Sequence, residues 1–211
     1  MFNLLVEGLG MSMAIFALTI VGAIPLGIPV ALARLSKFKP LALLAQFYIS
    51  VMRGTPLMLQ MFAVYFMPYY VFNIQTGSGF KFTACIIAFI LNYAAYFAEI
   101  YRSGIQSIPQ GQYEAAEVLG YTRGQTFGRI ILPQMVKHVL PPVTNEVITL
   151  VKDTSLAFVL SYAEMFTIAK RVANSISSVM PLFVAGLFYF VFNAIVAWAM
   201  EKIEKRMSYY H

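Results

Sequence analysis

The chain has 211 residues, of which 60% are apolar, 15% aromatic and only 11% charged, with a mean hydropathy of +0.72. Soluble domains carry about a quarter charged residues, so this balance excludes an ordinary soluble enzyme or binding module and points to an all-α integral membrane protein. The net charge of +6 does not signal nucleic acid, because Lys and Arg lie in short clusters beside apolar runs, as membrane topology predicts.

Five transmembrane helices are expected, at Leu9 to Ala33, Pro56 to Phe72, Phe82 to Tyr101, Val143 to Phe166 and Leu182 to Met200. Several of these runs approach or exceed the roughly 20 apolar residues that cross a hydrocarbon core about 30 Å thick. They make one transmembrane domain over 1–211, without a long soluble domain, low-complexity tract or internal repeat. The first run is too long for a cleavable signal, and no small-residue cleavage pattern follows it. Pro25 and Pro29 in the first run, and Arg53-Gly54-Thr55-Pro56 at the start of the second, predict broken helices. Leu41 to Met52 reads as a helix at the membrane interface feeding the second span.

Basic residues in the connections set the orientation. Arg34, Lys37, Lys39, Arg102, Arg123, Arg129, Lys137, Lys202, Lys205 and Arg206 fall on one side, against Lys81, Lys170 and Arg171 on the other. The N-terminus is therefore expected outside and the C-terminus in the cytoplasm. The single cysteine, Cys85, sits in an apolar run and reads as a buried structural thiol. His138 and His211 are isolated, and no set of residues suggests catalysis or a metal site.

The segment 104–141 is the only sizeable connection. Ser107 with Gln110 resembles a capping box, and Gly120 stands where a helix ends in the left-handed conformation. Thr122 with Gln125 makes a second capping box, opening a helix that Pro133 is expected to close. Ala115, Val118 and Leu119 share one face, as do Phe127, Ile130 and Ile131, so the pair is expected to lie apolar side down. The outward side then presents Glu114, Glu117, Arg123 and Arg129, with small Ala116 allowing close approach of another protein.

Glu114-Ala115-Ala116, then Gly120, Ile130 and Leu132-Pro133 resemble the EAA loop of the permease subunits of type I bacterial ATP-driven (ABC) importers. Arg53-Gly54-Thr55-Pro56, Asn92-Tyr93-Ala94-Ala95-Tyr96 and Lys152-Asp153-Thr154-Ser155-Leu156 are similar to the polar amino acid uptake branch of that family. The resemblance covers nearly the whole chain. It implies a five-helix permease core in the bacterial cytoplasmic (inner) membrane, working by alternating access. It also implies two permease copies, identical or sister, a dimer of cytoplasmic ATPase subunits and an extracytoplasmic amino-acid-binding protein. Glu114, Ala115, Ala116, Glu117, Gly120, Arg123, Leu132 and Pro133 would couple to the ATPase. The chain lacks the GxxxxGK[ST] loop that cradles phosphates, so it is expected to bind no cofactor, ATP and Mg residing on the partner.

Charges inside a span cost at least about 2.5 kcal/mol each and mark candidate sites. Spacings of 7 and 11 residues put Glu146, Asp153 and Glu164 on one helical face, while Asn92, Tyr96, Glu99 and Ser103 share a face of the third span. An acidic cavity favours a cationic guest such as arginine, lysine or histidine. Asp153 and Glu164 are expected to attract its cationic groups, and Asn92 and Tyr96 to supply hydrogen bonds and an aromatic wall. Backbone amides at Gly54 and Thr55, with Arg53, would take its α-carboxylate. Glu99 is expected to pair with Arg102, and Glu146 to act as a gate or head-group contact. A neutral polar cargo such as glutamine, an ion-coupled secondary transporter and a membrane scaffold or enzyme are the competing readings.

Overall fold

A computed structural model of the chain describes residues 2–77 and 79–207, all of whose regular elements are helical. In chain order these are α1 (Phe2–Arg34), α2 (Lys39–Gly54), α3 (Leu57–Phe72), α4 (Phe80–Gln106), α5 (Gln110–Val118) and α6 (Arg123–Thr126). A π-helical turn (Phe127–Ile131), α7 (Leu132–Asp153), a 3-10 helix (Thr154–Leu160), α8 (Met165–Ser175) and α9 (Met180–Met207) follow.

Among the described residues α1, α4 and α9 are long and apolar enough to cross a membrane unaided. α3 is apolar but has 16 residues. The expected fourth span, 143–166, is not one helix: α7 stops at Asp153, the 3-10 helix takes over, and Ser161 turns left-handed at φ 54° before α8 begins. α1 is likewise unlike its expectation, because it runs unbroken through Pro25 and Pro29. A proline removes one helical donor without breaking a helix whose neighbours hold it straight, and α1 is held by α4 over much of its length.

α4 is the centre of the bundle. Its alternation of small and aromatic side chains, Ala84, Ala88, Phe89, Tyr93, Ala94, Phe97 and Ala98, is buried on several sides by α1, α2, α3 and α7. Cys85 is fully buried there. Lipid offers no hydrophobic drive between helices, so close backbone approach through small residues supplies the packing. Gly27 shows this in α1, where an added Cβ would lie 2.9 Å from the Cβ of Phe97 and 3.2 Å from the amide of Ala98.

The N-terminal part of α1 makes a second close contact, with α8. A Cβ on Gly8 would come within 2.7 Å of the Met165 Cα and 3.0 Å of its amide nitrogen. Backbone cannot give way as a flexible side chain can. Gly8→Val is therefore expected to cost about 2 kcal/mol by overpacking, read as a lower unfolding temperature of the detergent-solubilised protein, whereas Gly10→Val, with open space around it, leaves that temperature unchanged.

Candidate functional site

Thr55 precedes a proline, which drives it out of the helical region, and its φ and ψ of −121° and 148° end α2. Pro56 then opens α3 as its N-cap. The expected break at Arg53–Pro56 is present, and it turns the Arg53 guanidinium over the ring of Tyr96, 5.3 Å from the centroid. From these two residues a cleft of about 360 Å³ opens between α4 and α7. Glu99, Arg102 and Ser103 line it from α4, and His138, Pro142 and Glu146 from α7.

The charges in this cleft are arranged unequally. Glu99 and Arg102 form the expected local ion pair, with Arg102 Nε donating to Glu99 Oε2 at 3.0 Å and a second guanidinium nitrogen on Oε1. Arg102 also donates to Gln106. Glu146 enters no ion pair among the described residues, and Arg53 lines the same cleft. One carboxylate and one guanidinium of the cleft, Glu146 and Arg53, thus lie outside ion pairs among the described residues.

The other expected cargo ligands are used differently. Asn92 is 5% exposed and donates from Nδ2 to the Met52 carbonyl and to Gln60 Oε1, both at 2.9 Å; it braces the α2–α3 break and does not face a guest. Gly54 closes α2, and neither it nor Thr55 lines the cleft. The Thr55 hydroxyl donates to the Val51 carbonyl at 2.8 Å and accepts from Gln60 Nε2 at 2.9 Å. Asp153 accepts a 2.7 Å hydrogen bond from the Tyr93 hydroxyl, which ties the end of α7 to α4.

Glu164 lies farthest from its expected role. Because the chain leaves helical geometry between Asp153 and α8, the arithmetic that put both carboxylates on one face does not hold. Glu164 is 0% exposed and is the N-cap of α8. It accepts from the amides of Phe166 at 2.5 Å and Thr167 at 2.6 Å, from the Thr167 hydroxyl at 2.7 Å and from the Tyr189 hydroxyl at 3.1 Å. The next orphan donor, the Met165 amide, goes to Ser12 Oγ of α1 at 3.4 Å. A helix N-terminus with no water at hand needs such acceptors.

The connection between α4 and α7 forms a two-helix hairpin. Ser107 ends α4 and does not cap α5, whose N-cap is Pro109 without a side-chain bond. Gly120, at φ 76°, completes a Schellman ending: its amide donates to the Glu117 carbonyl at 2.9 Å and that of Tyr121 to the Ala116 carbonyl at 3.0 Å. Thr122 and Gln125 form the reciprocal capping box of α6. Pro133 does not close that helix. It sits in the first turn of α7, directly after the π-helical turn, in which the Leu132 amide reaches back to the Phe127 carbonyl.

The faces of this hairpin follow the expectation at Glu114, Glu117, Arg123, Arg129 and Ile131 and reverse it at Ala115, Ala116, Val118 and Leu119. Ala116 is 1% exposed, buried against the chain itself, while Val118 and Leu119 are 88% and 73% exposed at the tip. Glu114, Ala115, Glu117, Arg123, Arg129, Leu132 and Pro133 are exposed as well, and Ile131 is buried. The tip therefore offers a small apolar knob rimmed by charge. Tyr113, Glu117, Tyr121 and Arg123 line a cavity of about 420 Å³ inside the hairpin.

Gln60 escaped the sequence reading, and Tyr93 and His138 stand in it without a role at this site. Gln60 carries a usable signal, being the sole amide in an otherwise apolar α3, where a polar group must find a partner.

Comparison with known proteins bears on the family and the fold. Residues 23–209 match the family model described as binding-protein-dependent transport system inner membrane component. The arginine transport system permease protein ArtQ of Bacillus subtilis (strain 168) is 35% identical over 97% of this chain and 92% of its own length. The L-cystine transport system permease protein TcyB of the same strain is 37% identical over 85% and 76%. The putative glutamine transport system permease protein GlnP of Rickettsia conorii (strain ATCC VR-613 / Malish 7) is 31% identical over 96% and 92%. Among solved structures, an amino acid ABC transporter with histidines superposes with a TM-score of 0.87 at 32% identity, covering 97% of this chain and 94% of that one. An inward-facing MetNI methionine transporter shares the fold, at a TM-score of 0.72 and 16% identity.

Proposed function

The chain belongs to the family of binding-protein-dependent transport system inner membrane components and is the permease subunit of an ABC amino acid importer, and from that premise we propose that its cargo is cationic. As such a permease it is not itself an enzyme: ATP is hydrolysed by a separate ATPase, and a substrate-binding protein delivers the cargo. Readings as an ion-coupled secondary transporter, or as a membrane scaffold or enzyme, fall with this membership. One observation carries the choice of cargo. In the cleft, Glu146 stands without an ion-pair partner among the described residues while Glu99 is neutralised by Arg102.

Arg53 holds the α-carboxylate of the amino acid, Tyr96 walls the site, and Glu146 attracts the cationic end, with Asp153 adding negative potential from beyond Tyr93. Glu146 replaces Glu164 in this role, and Asn92, Gly54 and Thr55 act by shaping the break that aims Arg53. ATP and Mg sit on the ATPase, and no cofactor on this chain. Two permease copies enclose the path. The N-terminus is outside and the C-terminus in the cytoplasm, so the α5–α6 hairpin meets the ATPase. Its exposed tip at Val118 and Leu119 seats in that partner, with Glu114, Ala115, Glu117 and Arg123 around it. Gly120 and buried Ala116 hold the tip's shape, while Leu132 and Pro133 pass its displacement to α7. Closure of the ATPases on ATP turns the cavity outward, and hydrolysis resets it.

The test is competitive uptake of labelled arginine, histidine and glutamine by the complex reconstituted with its ATPase and binding protein. Glu146→Gln is expected to lower the preference for arginine over glutamine about tenfold, from loss of one charge a few ångströms away. Asp153→Asn has a smaller effect and Glu164→Gln none. Unchanged selectivity in Glu146→Gln would overturn the cationic reading and favour glutamine, the cargo named for the Rickettsia relatives.

A further inference from the structure

The proline that breaks α2 from α3 also creates a hydrogen-bonding deficit. Residue 56 has no amide hydrogen, and residue 55 is forced extended, so the last carbonyls of α2 lose their helical donors. The Met52 carbonyl in particular loses its donor, since the i+4 amide it would accept from is that of residue 56. Two side-chain amides stand in. The Met52 carbonyl accepts from Asn92 Nδ2 and from Gln60 Nε2, each at 2.9 Å, and the Thr55 carbonyl accepts from Gln60 Nε2 at 3.1 Å. Gln60 Oε1 in turn accepts from Asn92, which joins the two amides into one bracket. Gln60 and Asn92 are 9% and 5% exposed, so neither meets the cargo. What they fix is the end of α2, the turn that carries Arg53 over Tyr96.

We infer that Gln60 and Asn92 are positioning residues for cargo binding: by replacing the helical donors that Pro56 removes, they set Arg53 in the wall of the cleft. This rests on the reading of that cleft as the cargo path, and the experiment separates the two. In a Cys85→Ala background, Arg53→Cys with Tyr96→Cys reports the position of residue 53 through a short bifunctional thiol reagent, whatever the cargo. Adding Gln60→Met is expected to reduce that crosslink severalfold. In the reconstituted complex, Gln60→Met is expected to raise the apparent KM for arginine uptake about tenfold, as for loss of a buried hydrogen-bond partner. In an Arg53→Ala background the same change has no further effect on KM, which a general loss of stability would not reproduce. Gln60→Asn, too short by one carbon to reach Met52, carries the same expectation should Gln60→Met fail to accumulate. An unchanged crosslink, or a rise in KM that persists without Arg53, overturns the inference. A reduced crosslink with Arg53→Ala leaving uptake untouched upholds the positioning and overturns the cleft as the cargo path.

Discussion

Gly120→Val is expected to leave the membrane helices folded and to reduce cargo-stimulated ATP hydrolysis by the assembled transporter more than tenfold. The cause is local. At φ 76° a residue with a branched Cβ meets its own following carbonyl, at a cost of roughly 2 kcal/mol. Space is not the obstacle, since an added Cβ would touch nothing within 4 Å. The strain is relieved by undoing the Schellman ending, which releases the Glu117 and Ala116 carbonyls and swings Val118 and Leu119 away from their place at the tip. Gly120→Asn is the control, because asparagine tolerates the left-handed region and is expected to retain most of the stimulation. Equal behaviour of the two variants in an ATPase assay with binding protein and cargo would show that the hairpin tip is not the point at which the ATPase acts.

Glu164→Ala is the second large effect, and it falls on stability. The substitution strips the N-cap of α8 and leaves the amides of Phe166 and Thr167 and the Thr167 hydroxyl without their acceptor in a site that excludes water, while the Tyr189 hydroxyl keeps only Ser12 Oγ at 3.4 Å. The two amides are the cap itself, worth about 1 kcal/mol, and the stranded Thr167 hydroxyl adds about 1–3 kcal/mol, so a loss of about 2–4 kcal/mol is expected. The measurement is the thermal midpoint and yield of the purified permease. Glu164→Gln retains one acceptor and is expected to fall between the two. A fully stable Glu164→Ala with altered cargo preference would return Glu164 to the cargo path.

The sequence reading succeeded where chemistry acts over three or four residues and failed where it acts over distance. Gly120, and Thr122 with Gln125, announce their conformations because turn geometry and caps are local. Ser107 with Gln110 has the same spacing, but α4 continues to Gln106 and consumes Ser107 at its own end. Helical periodicity correctly grouped the residues of α5 by face yet could not say which face is inward. The inference that apolar means buried reversed the answer, because Val118 and Leu119 stand exposed at the tip. The acidic stripe rested on one helix running from Asp153 to Glu164. Nothing in Ser161, neither glycine nor asparagine, signals the left-handed turn that ends it. Asn92 reads in the sequence as a hydrogen-bonding group for the cargo, whereas its partners, 32 and 40 positions away, belong to the fold alone.

The turn at Phe127–Ile131 bears on how this subunit tolerates change. From Ile131 onward the buried positions Met135, Val139, Val143, Val147 and Val151 recur every fourth residue, but the step from Thr126 to Ile131 is five. The wider turn contributes one surplus residue, which rotates α6 against α7 by about 100° relative to a continuous helix. Hairpins exchanged between permeases should therefore be spliced outside 127–131, so that the surplus residue travels with its proline. A single-residue deletion within the turn would turn α7 out of phase with its neighbours, an injury no point substitution in the hairpin can match.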